Sequence, residues 1–163
     1  MKSRNIKSRN IESRIEERLL ENYETYYRVA YSYVHNEADA LDIVQEGAYK
    51  AILKSDSVKK PEYIDTWLYR AIVNEALQFL RNHKREVTQE MMEESGSCDE
   101  YRDVDLEEAI EQLEPIDQTI IKLRFFEELS ISAIAEVIEM NVNSVKSRLY
   151  RALGKLKLSL EEN

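Results

Sequence analysis

The chain has 163 residues, 43% of them hydrophobic and 34% charged, with a net charge of −9. That length accommodates one ordinary domain or two small helical ones, and no run of about eighteen apolar residues offers a membrane span. The N-terminus lacks the apolar stretch of a secretory signal, and the single cysteine, Cys98, excludes an internal disulfide, as expected of a protein in a reducing cytoplasm.

The acidity is localised. Between Glu86 and Glu108 ten acids stand against Arg102 alone, so this stretch carries the whole net charge and the remainder is balanced. An acidic total therefore does not exclude a nucleic-acid partner for a local basic face. Only Pro61, Pro115, Gly47, Gly96 and Gly154 punctuate the chain. The long segments between them have helical apolar spacing, which predicts an all-α protein.

Residues 2–11 repeat KSRNI twice, with four cations and no acid, and read as a frayed basic extension. From Ile11 to Val34 the positions Ile15, Leu19, Tyr23, Tyr26, Tyr27, Ala30 and Val34 make one face of a long helix. Asn36 caps a second helix, with Asp39 at its positive end and a core face of Leu41, Val44, Ala48, Ala51 and Ile52. Gly47 lies inside it, at a cost of about 1 kcal/mol relative to alanine. A polar loop, Ser55 to Pro61, precedes a third helix from about Glu62 to Lys84. Its buried stripe is Ile64, Leu68, Ala71, Ile72, Ala76, Phe79 and Leu80, and its tail is basic. Three such helices make a first small domain.

Residues 86–104 are acidic and poor in large apolar side chains, which predicts a flexible linker. Cys98 inside it is dulled by its acidic neighbours. Apolar periodicity resumes at Leu106, Ala109, Ile110 and Leu113. Pro115 suits the first turn of the next helix, with Ile116, Ile120, Ile121, Leu123 and Phe126 as its apolar positions. Helices over Ile131–Ile138 and Val142 to about Leu160 complete a four-helix second domain. The domains are thus a 1–18 extension, a 19–85 bundle, the 86–104 linker and a 105–160 bundle.

The last two helices carry the most information. A short helix, a tight connection at Glu139-Met140-Asn141 and a longer helix capped by Asn141 form a helix-turn-helix, which seats its second helix in the major groove. Val145, Leu149, Ala152 and Leu156 face Ile134, Ala135 and Ile138. The opposite face holds Asn143, Ser147, Tyr150, Arg151 and Gly154, flanked by Lys146 and Arg148. Five cations and no acid lie between Val142 and Leu158. Such side chains donate to guanine edges and phosphates.

LSISAIAEVI followed by VNSVKSRLYRALGKLK resembles region 4 of bacterial sigma factors. NEADALDIVQEGAYKA resembles the family's region 2.2, and YIDTWLYRAIVNEALQFLRNHKR its regions 2.3 and 2.4. Two domains without regions 1.1 and 3 resemble the extracytoplasmic-function (ECF) group, over roughly residues 19–158. The resemblance implies an RNA polymerase specificity subunit whose partners are the polymerase core (β′ and β subunits), promoter DNA and an anti-sigma factor, often membrane-anchored in this family. It implies polymerase binding by Asp42, Gln45 and Glu46, whose i, i+3, i+4 spacing shares one helix face. It implies −10 DNA contact by the loop with Lys59 and Lys60, by Trp67, Arg70 and Asn74, and by the tail Arg81, Lys84 and Arg85. It implies −35 contact by Asn143, Ser144, Lys146, Ser147, Arg148, Tyr150 and Arg151.

Three departures from the family's pattern stand out. Glu139 occupies a turn position usually held by glycine, so the turn must avoid positive φ or carry strain. Gly47-Ala48 replaces a bulkier apolar pair, and Asn143 stands where glycine is frequent. No metal-ligand spacing around His35 or His83, no nucleotide-binding glycine loop and no nucleophile elbow is present, so no catalytic site, metal, cofactor or small-molecule substrate is expected. Two rival functions are a helix-turn-helix regulator that never engages polymerase and a module that sequesters an anti-sigma factor. The first has no use for the Asp42–Glu46 face.

Overall fold

A computed structural model describes residues 2–89 and 104–161 of the chain, with side chains over 10–84 and 106–161. All regular structure among the described residues is helical. The chain divides into two compact units, Met1–Met91 and Met92–Asn163. Most of the expected acidic linker, Cys98 included, lies outside the described residues. Its first positions, up to Gln89, continue a helix of the first unit.

The first unit contains α1 (Lys2–Glu21), α2 (Tyr23–Val34), α3 (Glu37–Leu53) and α4 (Ile64–Gln89). The basic repeat at 2–11 is not a frayed extension: its backbone is part of α1. Ile15 and Leu19 are buried and anchor the later turns. Once a helix is nucleated, adding residues without glycine or proline costs little.

The single helix expected over 11–34 is two helices, bent at Asn22 (φ −116°, ψ 24°). Ladder bonds continue on either side, Asn22 N–H to the Arg18 carbonyl at 3.0 Å and Tyr26 N–H to the Asn22 carbonyl at 3.2 Å. The bend shifts the buried stripe from Ile15 and Leu19 to Tyr26, Val29, Ala30 and Tyr33, which leaves Tyr23 exposed. Asn36 caps α3 as expected, its side chain accepting from Asp39 N–H at 3.0 Å.

The core face of α3 is displaced from the one expected. Ala40, Ile43, Val44, Gly47 and Ala51 are buried, Leu41 is exposed, and Ala48 and Ile52 are half-buried. The cause is the close crossing with α4. A Cβ on Gly47 would lie 2.8 Å from Ile72 Cδ1 and 3.3 Å from the Ala71 carbonyl oxygen. Gly47 is the seat of that crossing, so the propensity it forfeits is returned as close helix packing.

The second unit contains α5 (Val104–Glu111), α6 (Pro115–Ile121), α7 (Ile131–Ile138) and α8 (Val142–Glu161), with a π-helical turn over Lys122–Phe126. That wider turn changes the helical phase. Phe126, expected in the core, is exposed, while Asp117, Gln118, Thr119 and Lys122 are buried. The Gln118 amide donates to the carbonyls of Leu113 (2.9 Å) and Glu111 (3.2 Å), and the Thr119 hydroxyl to that of Pro115 (3.0 Å). Burial pushes the Lys122 ammonium down to a pKa of about 8, opposed by the charge of Glu111. Ile120, Leu123, Ile134, Val137 and Val145 close an apolar core around these groups.

Candidate nucleic-acid interface

In the first unit the packing of α3 on α4 makes two clefts. The first has a volume of about 330 Å³ and is lined by Asp42, Gln45 and Glu46 of α3 with Glu75, Gln78, Phe79 and Asn82 of α4. Asp42, Gln45 and Glu46 are exposed on one face of α3. The second, about 380 Å³, is lined by Lys50, Lys54, Trp67, Arg70, Asn74, Gln78 and Arg81 among others. Glu75 and Gln78 line both. Lys50 Nζ lies 2.7 Å from Glu75 and 4.0 Å from Glu46. The hydrogen bond to Glu75 holds the Lys50 ammonium above its ordinary pKa. This pair is thus a wall between an acidic cleft and a basic groove.

The basic groove brings together Trp67, Arg70, Asn74 and Arg81. Trp67 is half-buried, its indole N–H donating to the Ala51 carbonyl at 3.0 Å. Arg70 sits over the ring at 5.9 Å from its centroid, within cation–π range. The indole is therefore a fixed wall of the groove, with one face attended by a cation. Arg81 is exposed and donates to the Gln78 side chain at 2.9 Å. Lys59, Lys60 and Lys84 are exposed outside the set lining the groove, and the Arg85 side chain lies outside the described residues.

The segment from Ser55 to Pro61 is less loop-like than expected. It holds a 3₁₀ turn at Ser55–Ser57, with Ser55 and Val58 buried, and a second such turn begins at Pro61. Lys59 and Lys60 are thus presented between two pinned points. Sequence reasoning missed Lys50, Lys54 and Gln78 as groove residues. Lys50 and Lys54 stand one turn apart at the end of the helix that leads into the loop, which was the available signal.

In the second unit α7 and α8 form the helix-turn-helix. Ser130 caps α7 by accepting from Ala133 N–H at 3.1 Å, and Asn141 accepts from Asn143 N–H at 2.7 Å. Glu139 takes the left-handed conformation (φ 54°, ψ 50°), and Met140 N–H bonds the Ala135 carbonyl at 2.9 Å. The missing glycine is thus met by a strained glutamate, at roughly 1–2 kcal/mol. Val145, Leu149, Ala152 and Leu156 are buried. Asn143, Ser144, Lys146, Ser147, Tyr150 and Arg151 are exposed, Tyr150 by 67%.

Arg148 differs from the other side chains named on this helix. Its guanidinium turns back to α6, with Nη1 at 3.1 Å from Asp117 and 3.5 Å from Glu114. Among the described residues no three His, Cys, Asp or Glu side chains are placed to hold a metal, and no helix is long and apolar enough to cross a membrane.

Known proteins share both units. Residues 19–86 match the family model described as Sigma-70 region 2, and residues 103–156 match Sigma-70, region 4. The chain is 44% identical over 146 residues to the RNA polymerase sigma factor SigV of Bacillus subtilis, covering 87% of this chain and 88% of that protein. It is 33% identical over 133 residues to the ECF RNA polymerase sigma-E factor of Haemophilus influenzae, covering 70% of each. Among solved structures it is similar to the sigma factor RpoE of Bartonella quintana, crystallised with the anti-sigma factor NepR. The TM-score is 0.70 at 26% identity, covering 90% of this chain and 96% of that one.

Proposed function

The chain belongs to the sigma-70 family of RNA polymerase sigma factors, in its ECF group, and on that premise we propose how its two units divide the work of promoter recognition. The acidic face of α3, Asp42, Gln45 and Glu46, docks on the polymerase core. The basic groove of Trp67, Arg70, Asn74 and Arg81, with Lys59, Lys60, Lys84 and Arg85 around it, holds the −10 element as a melted strand. Cations and aromatic walls suit single-stranded DNA, whose phosphates and base faces are both accessible. The outward face of α8 reads the −35 element as duplex. The chain acts in the cytoplasm, without catalysis of its own, and is held inactive by an anti-sigma factor. Support for such a partner comes from RpoE of Bartonella quintana, which crystallised in complex with the anti-sigma factor NepR.

One observation carries this assignment. A chain of net charge −9 keeps five cations and no acid from Val142 to Leu158, on the second helix of a helix-turn-helix. Four of the five, all but Arg148, are exposed, and groove entry is favoured by a helix of this charge.

Polymerase engagement is tested by quantitative pull-down and run-off transcription with Asp42→Arg/Glu46→Arg. These exposed substitutions leave folding within about 0.5 kcal/mol and are expected to abolish core association and promoter-dependent transcripts together. Unchanged core affinity would remove this face from the account.

A further inference from the structure

Arg148 is the cation of α8 that the fold has engaged. On the helical wheel it falls nearer the buried stripe of Val145, Leu149, Ala152 and Leu156 than the outward stripe of Asn143, Ser147 and Gly154. Its side chain is 30% exposed, and its guanidinium lies 3.1 Å from the carboxylate of Asp117, whose side chain is only 6% exposed. Glu114, exposed at the start of α6, approaches the same nitrogen at 3.5 Å. A carboxylate taken out of water needs a hydrogen-bonded counter-charge, and Arg148 reaches it from another helix, 31 positions along the chain.

We propose that Arg148 is a positioning residue for −35 recognition, fixing the rotation of α8 on α6 through Asp117, and that it reads neither base nor phosphate. The inference rests on the assignment of α8 to the −35 element. Rotation matters because Ser147 and Arg151 project from the same helix as Arg148, so a small rotation of α8 displaces both together. An arginine that made a phosphate contact would contribute to affinity through counterion release, and its loss would lower the salt dependence. An arginine held inward by Asp117 has no such signature. Its loss blurs recognition at several base pairs because it moves the readers.

The test uses core polymerase carrying wild type, Arg148→Ala, Asp117→Asn or the double variant. Transcription is measured from promoters varied one base pair at a time in the −35 element, over a range of salt. Each single variant is expected to lose roughly tenfold on the preferred −35 sequence and to flatten preference at more than one position, with salt slope and core affinity unchanged. The double variant separates positioning from simple folding. Removing both charges leaves no stranded carboxylate, so its melting temperature is expected to recover relative to Arg148→Ala while the flattened preference persists. If Arg148→Ala folds poorly, Arg148→Lys takes its place: it keeps the charge, loses the planar guanidinium, and is expected to show intermediate preference.

Three results overturn the proposal. A salt slope lowered by about one unit in Arg148→Ala, with Asp117→Asn active, makes Arg148 a phosphate contact. Loss of preference at a single base pair in Arg148→Ala alone makes it a base reader. Preference restored along with stability in the double variant makes the pair purely structural. Wild-type transcription indifferent to every −35 change is a different failure, since it removes the assignment of α8 itself.

Discussion

In the first unit three of the four cations lining the candidate groove, Lys50, Arg70 and Arg81, are tethered. Lys50 is paired to Glu75 at 2.7 Å, Arg70 lies over Trp67, and Arg81 donates to Gln78. Along α8 of the second unit Arg148 is engaged in this way, and among the described residues Lys146 and Arg151 form no ion pair. The difference fits two kinds of target. Holding a splayed strand rewards a wall whose shape is already set, because ordering costs met during folding are not met again on binding. Reading a duplex edge rewards long side chains that settle on the groove they enter, with Arg148 fixing the helix that carries them. The first surface is a preformed groove, and the second is a set of exposed donors along one helix.

The rigidity of the groove depends on the close crossing of α3 and α4, and the largest effect is expected there. Gly47→Leu places a branched side chain where a Cβ alone would already meet Ile72 and the Ala71 carbonyl. Overpacking of this kind costs roughly 1–3 kcal/mol. Thermal unfolding is expected at lower temperature, with −10-dependent promoter opening reduced more than −35-dependent binding. Equal loss of both would show that the two surfaces are not built independently.

A smaller effect is expected in the second unit, through Lys122. Its pKa falls from 10.5 free to about 8 folded because burial disfavours the charge. Between those values the unfolded chain binds the extra proton, so this group's unfavourable contribution is full below about pH 8 and is relieved as pH rises toward 10.5. Lys122→Met is therefore expected to raise the melting temperature at neutral pH and to remove part of the alkaline rise in stability relative to wild type. Loss of its attraction to Glu111 limits the gain. A variant less stable than wild type at pH 7, with the same alkaline slope, would mean that the charge is well accommodated in the core.

These contrasts also mark what was legible in the chain. In the α7–α8 unit Asn141, Val145 and Leu149 were legible, because local rules of capping and periodicity cover them, whereas the cap supplied by Ser130 was not read. The phase of α3 was not, because periodicity favours the larger Leu41 and Ile52 over Ala40 and Gly47, while a close helix crossing selects small residues. Phe126 was misplaced because nothing local announces a π-helical turn. The inward turn of Arg148 was invisible for a different reason: its partner Asp117 sits on another helix, and exposed and buried arginines look alike in sequence. The groove was half legible. Trp67 and Arg70 stood out, while Lys50 and Lys54 were hidden on a helix read for its acidic face.

The division between a preformed groove and a reading helix is tested most directly on Arg151. In vitro transcription with core polymerase, from promoters varied one base pair at a time in the −35 element, compares wild type with Arg151→Ala. The expected result is a loss of roughly 1–3 kcal/mol concentrated at one −35 position, with preference at the −10 element unchanged. Full activity of Arg151→Ala on every promoter would contradict the assignment of the outward face of α8.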